Sequence, residues 1–91
     1  GVGTLQWKAP EILKFGRSSK PSDIYSLGIV FWELATGCIP YDDLDEETIS
    51  QGVKAGERLK IPNDIPLDFA SLITTAWSQD PNQRPTSHEL M

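Results

Sequence analysis

The feature that most constrains this chain is a predicted helix, residues 23–36, that is apolar on every side. Ser22 is a favourable N-cap residue directly after Pro21, and Gly37 is a typical residue to end a helix about four turns long. The apolar residues that cover its faces are Ile24, Tyr25, Leu27, Ile29, Val30, Phe31, Trp32, Leu34 and Ala35. A helix that is apolar all round is expected to be buried all round. The sequence therefore predicts a central helix surrounded by other segments.

The chain is too short to surround that helix by itself. It has 91 residues, and a chain of this size buries only about 60% of the surface that it exposes when unfolded. Shorter helices are predicted at 8–13, 45–55 and 67–79, the last with an apolar stripe at helical spacing. We therefore expect a mainly α-helical fold without a substantial sheet. We also expect other protein to cover part of the central helix.

Composition and charge exclude several classes of protein. Thirteen acidic and eight basic residues give a formal net charge of −5, which is not the basic footprint of a nucleic-acid binder. No apolar run approaches the ~20 residues of a membrane-spanning helix. Cys38 and His88 are each the single residue of their kind, so the chain has no internal disulfide and no zinc site of its own. The sequence predicts a globular protein with no nucleic-acid partner, no membrane segment and no metal site.

A short acidic run accounts for the whole net charge. Five acids fall within six positions: Asp42, Asp43, Asp45, Glu46 and Glu47. Because the run leads into a predicted helix, it is interpreted either as a solvated helix start stabilised by the helix dipole or as a docking site for a partner. The sequence leaves both interpretations open.

The sequence contains no recognisable catalytic or phosphate-binding arrangement. The glycines at 1, 3, 16, 28, 37, 52 and 56 form neither a dinucleotide-binding fingerprint nor a Walker loop. His88 is the only imidazole, and it lies within a predicted capping box at 86–89. That box would start a helix, but the sequence stops at Met91, before the helix has the length it needs to be stable. We therefore expect the chain to be cut from something longer. No catalytic, cofactor-binding or metal-binding residue is predicted.

Four ordered motifs carry a resemblance to a known family. Residues 3–11, Gly-Thr-Leu-Gln-Trp-Lys-Ala-Pro-Glu, resemble the end of a protein kinase activation segment, which closes on Ala-Pro-Glu. Residues 22–28 with Trp-Glu-Leu at 32–34 resemble the central helix of the kinase C-lobe, and Thr-Gly with Pro-Tyr follow at 36–41. Trp77, Asp80-Pro81 and Arg84-Pro85-Thr86 are similar to the closing motif of that lobe. The chain therefore resembles a partial protein kinase domain.

The resemblance implies the extent of that partial domain. Residues 1–91 would run from the end of the activation segment to the start of the last C-lobe helix, without the N-lobe and the catalytic loop. The fold implied is a helical C-lobe fragment. The residues at 23–28, Asp-Ile-Tyr-Ser-Leu-Gly, and Trp32 are similar to those of the tyrosine-kinase-like group of serine/threonine enzymes. Gly3-Thr4 is also typical of serine/threonine kinases. Lys8 departs from the apolar residue that is common before Ala-Pro-Glu.

The resemblance also implies roles for individual residues. Gly3, Thr4 and Trp7 would belong to the loop that receives the protein substrate. Glu11 would pair with Arg84, and the Asp23 carboxylate would accept backbone N–H groups of the catalytic loop; from the residues alone, each is equally a solvated or dipole-favoured charge. The positions that match the structural motifs of the family are Ala9, Pro10, Glu11, Asp23, Gly28, Trp32, Trp77 and Arg84.

The function implied is that of a part of an enzyme. The parent would transfer the γ-phosphoryl group of ATP, with Mg, to Ser or Thr hydroxyls of proteins in the cytoplasm. The residues for ATP, metal and catalysis lie upstream in this family, so we expect the chain to hold no cofactor and to be inactive without its missing N-terminal part. Two alternatives stay open: a pseudokinase or kinase-like interaction scaffold, and a short product that binds through its exposed central helix.

Overall fold

The computed structural model describes residues 5–86 and shows a helical fold. Within that range lie four α-helices, Pro10–Phe15 (α1), Lys20–Thr36 (α2), Glu46–Lys54 (α3) and Leu67–Ala76 (α4), with 3-10 turns at Leu5–Trp7 and Pro81–Gln83. No strand occurs in this range. The prediction of a mainly α-helical fold without a substantial sheet is therefore confirmed for these residues. The predictions that concern Gly3, Thr4, His88 and most of the capping box fall outside the described residues.

The central helix α2 begins three residues earlier than the sequence predicted. Its N-cap is Ser19, and the hydroxyl of Ser19 accepts a hydrogen bond from the Ser22 backbone N–H at 3.3 Å. The Ser22 hydroxyl in turn accepts from the Ser19 N–H at 2.6 Å, which completes a capping box. Pro21 is tolerated in the first turn because its missing N–H has no partner there. Ser22 is thus the third residue of the helix, and Gly37 ends the helix as predicted, with φ 69°.

Only one side of α2 is buried in the described part of the chain. The buried residues of the helix are Ser22, Ile24, Tyr25, Gly28, Ile29 and Trp32. On the opposite side Asp23, Val30 and Leu34 are exposed, and Leu34 is 74% exposed. The other three short helices cover one side of α2 only, so the predicted burial of its other side by further protein stays a prediction.

Helix α4 packs closely against the buried side of α2. A Cβ placed on Gly28 would lie 2.9 Å from the Cβ of Ala76, so only glycine permits this approach of the two helices. Ile73, Ala76 and Trp77 are buried at the contact, and Phe69 packs on Phe31 with ring centroids 5.8 Å apart. The predicted stripe therefore faces the core, although α4 ends at Ala76 and not at residue 79.

Helix α3 and its flanking loops close the other end of the core. The Asp45 side chain caps α3 by accepting a hydrogen bond from the Thr48 N–H at 2.8 Å, and Ile49 and Val53 are buried. In the following loop the Lys60 carbonyl accepts a hydrogen bond from the indole N–H of Trp32 at 2.9 Å. This loop is therefore packed against the core, as its apolar residues predicted. No helix between residues 5 and 86 is long and apolar enough to cross a membrane.

Candidate substrate-facing segment and its supporting contacts

Glu11 and Arg84 form the ion pair that the motifs imply. Arg84 Nη1 lies 2.6 Å from Glu11 Oε2, and Arg84 Nη2 lies 2.9 Å from Glu11 Oε1. The Arg84 side chain has no exposed surface, whereas that of Glu11 is 18% exposed. Two parallel hydrogen bonds between a guanidinium and a carboxylate are stronger and more directional than a single contact between charges.

The Glu11 carboxyl is affected by two opposing influences. Burial alone would raise its pKa, but hydrogen bonds from Arg84 and from the backbone, together with the positive charge of Arg84, outweigh burial. The pKa of Glu11 is therefore below its usual value of 4.5, and the ion pair is formed at neutral pH.

Arg84 also connects two further segments of the chain. Its Nε donates to the Ser78 carbonyl at 2.9 Å, and its Nη1 donates to the Pro21 carbonyl at 3.0 Å. The guanidinium carbon lies 5.1 Å from the centre of the Tyr25 ring, which adds a cation–π contact. One side chain thus fixes the segment that follows Trp77 against α1 and the first turns of α2.

The residues before α1 are attached directly to the central helix. The indole N–H of Trp7 donates to Glu33 Oε1 at 2.6 Å, and the Ser26 hydroxyl donates to the Trp7 carbonyl at 2.6 Å. Ala9 and Pro10 are buried beside them. The indole N–H of Trp7 is therefore used inside the fold, and its half-buried ring packs against the core. The segment that the motifs assign to the substrate is therefore held at two points on α2.

Arg58 is a structural residue that the sequence analysis missed. Its Nε donates to the Trp77 carbonyl at 2.8 Å and its Nη2 donates to Gln79 Oε1 at 2.6 Å. Its guanidinium carbon lies 5.0 Å from the centre of the Tyr25 ring. Arg58 and Arg84 therefore both contact the same tyrosine. No local pattern around Arg58 indicated this role, because its partners lie about 20 residues away in the chain.

Tyr25 and Tyr41 place two phenol groups in the interior. Tyr25 is completely buried, and burial raises its pKa well above the usual value; burial also raises the pKa of Tyr41. The two hydroxyls are close enough to influence each other, yet neither has a hydrogen-bond partner of good geometry within residues 5–86. Both phenols are neutral at physiological pH, so neither supplies a base.

The other predicted structural positions lie in different environments. Gly28, Trp32 and Trp77 are buried in the core, as described above. Asp23 lies in the first turn of α2 and is exposed, and its carboxylate has no hydrogen-bond partner within the described range. Its predicted role toward a catalytic loop therefore remains a prediction.

Side chains that ligate metals are not clustered in the part of the chain that the structure describes. Between residues 5 and 86, no group of three or more His, Cys, Asp or Glu side chains could hold a metal ion. The sequence also lacks a glycine-rich phosphate loop.

Comparison with known proteins identifies the family. A family model described as protein tyrosine and serine/threonine kinase matches residues 2–91. The chain belongs to the protein kinase family. Over 85 residues, 92% of this chain, it is 43% identical to mitogen-activated protein kinase kinase kinase 11 of Homo sapiens. Over 91 residues, 99% of this chain, it is 38% identical to mitogen-activated protein kinase kinase kinase 12 of Rattus norvegicus.

A third relative carries a different kinase name. The chain is 37% identical over 83 residues, 90% of its length, to the tyrosine-protein kinase transforming protein Fps of avian sarcoma virus. The chain spans 10% of the length of the two mitogen-activated protein kinase kinase kinases and 16% of the length of Fps. The predicted family is confirmed, and the kinase kinase kinase relatives agree with the predicted tyrosine-kinase-like, serine/threonine group.

Proposed function

We propose that residues 1–91 are a partial kinase domain, from the end of the activation segment to the start of the last C-lobe helix. The whole protein would transfer the γ-phosphoryl group of ATP to Ser or Thr hydroxyls of a protein. The observation that carries the proposal is the paired hydrogen bonding of Glu11 with Arg84. This contact joins the Ala-Pro-Glu motif to the closing motif, so the two most specific kinase motifs of the chain form one structural unit.

The contacts of Trp7 support a substrate-facing role for the residues before α1. Two hydrogen bonds to α2 fix the backbone of this segment, and a fixed backbone is what orients a bound peptide. We propose that Gly3, Thr4 and the Trp7 ring contact the residues of the substrate next to the phosphoacceptor.

The exposed side of α2 suits contact with a further part of the same domain. Val30 and Leu34 form an apolar stripe with half-buried Leu27, and the charged residue Asp23 is exposed near the N-terminal end of the helix. Such a stripe gains free energy when other protein covers it. We propose that upstream residues of the same kinase domain cover this side, and that they also supply the groups that hold ATP and Mg.

A phosphotransfer assay on the full-length protein tests the proposed function. The protein is incubated with γ-labelled ATP, Mg and peptide libraries that offer Ser, Thr or Tyr as the acceptor. We expect label on Ser and Thr peptides and none on Tyr peptides. Thr4→Val is expected to reduce kcat/KM at least about tenfold, whereas Thr74→Val, an exposed position on α4, should leave it unchanged.

Two outcomes would contradict the proposal. Binding of ATP without turnover would indicate a pseudokinase scaffold. Turnover by the 91-residue chain alone would show that the catalytic groups lie within it, contrary to the absence of a nucleotide motif in its sequence.

A further inference from the structure

An acidic groove with an apolar floor lies beside α3. Its cavity of about 300 Å³ is lined by the apolar residues Ile39, Leu44 and Val53, which we call its floor, and by the acids Asp42, Asp43 and Glu57, which we call its rim. Ile39 is 60% exposed and Leu44 is 45% exposed, so the floor offers apolar surface to a ligand. The one base in the lining, Arg58, already donates to three backbone carbonyls and to Gln79. The groove is therefore complementary to an apolar side chain flanked by positive charges.

The loop that forms the rim is held in an unusual conformation. Tyr41 has φ 53°, in the left-handed region that residues with a side chain rarely adopt. The Tyr41 hydroxyl is buried. The backbone carbonyl of Tyr41 accepts a hydrogen bond from the Leu44 N–H at 3.1 Å. The hydrogen bond to the Tyr41 carbonyl helps to offset a local cost of about 1–2 kcal/mol, whereas the Tyr41 hydroxyl has no hydrogen-bond partner among the described residues. The acids at the rim therefore lie on a defined turn.

The same chain carries a surface with the complementary chemistry, which we call the Phe15 patch. Phe15 is 74% exposed at the end of α1, and Lys14, Arg17 and Lys20 beside it are exposed. Within the described part of the chain, none of these bases has a salt bridge. Of the exposed large apolar residues there, Phe15 alone has three bases close to it in sequence; Leu34 follows Glu33, and Leu67 precedes Asp68.

We propose that the acidic groove receives the Phe15 patch of a second copy of this protein. The Phe15 ring would cover Ile39 and Leu44, and Lys14 and Arg17 would face Asp42 and Asp43. Burial of an aromatic ring supplies the apolar contribution, and the opposite charges select the orientation. This contact does not depend on the proposed phosphotransfer.

The positions of the two surfaces are compatible with a symmetric pair. Helices α1 and α3 are in contact, so the Phe15 patch and the acidic groove lie at the edges of neighbouring elements. A two-fold axis would then let each copy insert its patch into the groove of the other, which closes the assembly at two copies.

Sedimentation of the full-length protein with charge-reversed variants tests the contact. We expect self-association at about 50 mM salt that weakens at about 500 mM, where exposed charges are screened. Lys14→Glu/Arg17→Glu and Asp42→Lys/Asp43→Lys should each raise the dissociation constant at least about tenfold. An equal mixture of the two variants should associate again, because each retains the surface that the other has lost and the reversed surfaces are also complementary.

Matched controls separate the contact from general effects. Phe15→Ser should weaken association, whereas Leu67→Ser, which removes an even more exposed apolar side chain, should not. Asp64→Lys/Asp68→Lys changes the net charge equally at exposed positions that do not line the groove, and it should leave association unchanged. Circular dichroism checks the folding of each variant, and Lys14→Gln/Arg17→Gln replaces a reversed variant that fails to fold.

Three results would overturn the proposal. The wild-type protein could remain monomeric at about 100 μM and low salt. Association could survive Phe15→Ser and both reversals, which would place the contact elsewhere. The groove could bind a synthetic peptide with an aromatic residue between lysines while the protein stays monomeric, which would assign the groove to a different protein. None of these results bears on phosphotransfer, so the two proposals fail separately.

Discussion

The guanidinium of Arg84 and the carboxylate of Glu11 meet edge to edge, although 73 residues separate them in the chain. Both hydrogen bonds are short, at 2.6 and 2.9 Å, and the Arg84 side chain is inaccessible to solvent. Because Arg84 also donates to Ser78 and Pro21, the pair is the point at which both ends of the described chain meet α2.

Removing either partner of this pair should destabilise the protein strongly. Glu11→Ala leaves a buried guanidinium without its counter-charge, which typically costs about 3–5 kcal/mol; partial exposure of Glu11 places our expectation near about 3 kcal/mol. Arg84→Lys should cost a similar amount, because an ammonium group cannot reproduce the planar arrangement of donors. Urea unfolding of the full-length protein measures both. Arg17→Lys is the exposed control, and equal losses for all three would contradict the structure.

The same pair should make stability depend on pH in the acidic range. The pKa of Glu11 is lower in the folded protein than its unfolded value of 4.5, so the folded state favours the ionised form. The stabilisation is complete above pH 4.5 and is lost as the pH falls through the folded pKa. We expect the difference in unfolding free energy between wild type and Glu11→Gln to shrink below that pH. A difference that stays constant down to about pH 3 would show that the carboxylate is not stabilised by folding.

The close approach of α2 and α4 should make Gly28 sensitive to any side chain. Gly28→Ala places a methyl group 2.9 Å from Ala76 Cβ, and overpacking of this kind typically costs about 1–3 kcal/mol, partly offset by the better helix propensity of alanine.

Gly52→Ala is the matched control for this substitution. There the nearest atom, also at 2.9 Å, belongs to the flexible Glu57 carboxylate, which can move away. This variant should be neutral or stabilised by up to about 1 kcal/mol. Thermal unfolding of both proteins measures the contrast, and equal effects would mean that the helix contact is looser than described.

The hydrogen bond between Trp7 and Glu33 should couple the substrate-facing segment to α2. Trp7→Phe and Glu33→Gln each weaken it, and a double-mutant cycle should give a coupling energy of about 1–2 kcal/mol in unfolding experiments. The cycle for Trp7 with Ser50, a half-buried α3 residue whose side chain has no hydrogen bond to Trp7, serves as the control. A coupling near zero for Trp7 with Glu33 would remove the structural support for a fixed peptide-binding segment.

Local sequence signals located the helices well and their ends less well. Asp45 and Gly37 were identified as a helix start and a helix end because capping depends on residues within one turn. The start of α2 was misplaced because Ser19 and Ser22 are both good caps, and only the reciprocal hydrogen bonds between them decide which one begins the helix. The end of α4 was placed three residues too late, because Trp77 continues the apolar stripe beyond the helix.

Some supporting contacts of the candidate site could be predicted from the sequence and others could not. Glu11 and Arg84 were predicted because their motifs resemble those of a kinase, whereas Arg58 was missed because no motif includes it. Two of its partners, Trp77 and Gln79, come near it only in the folded chain, since they lie 19 and 21 residues away from it in sequence. Arg58 and Arg84 also both contact the Tyr25 ring, although all three residues are far apart in the sequence.

Taken by itself, the amino-acid order established the helical class and the kinase motifs, because periodicity, caps and motifs are properties of neighbouring residues. Tertiary structure alone decided which side of α2 is buried, which charges are paired and where the acidic run lies relative to Ile39 and Leu44. A helix that is apolar on every side carries no information about which neighbour covers which side. That choice depends on the packing of segments far apart in the chain, as the contact of Gly28 with Ala76 shows.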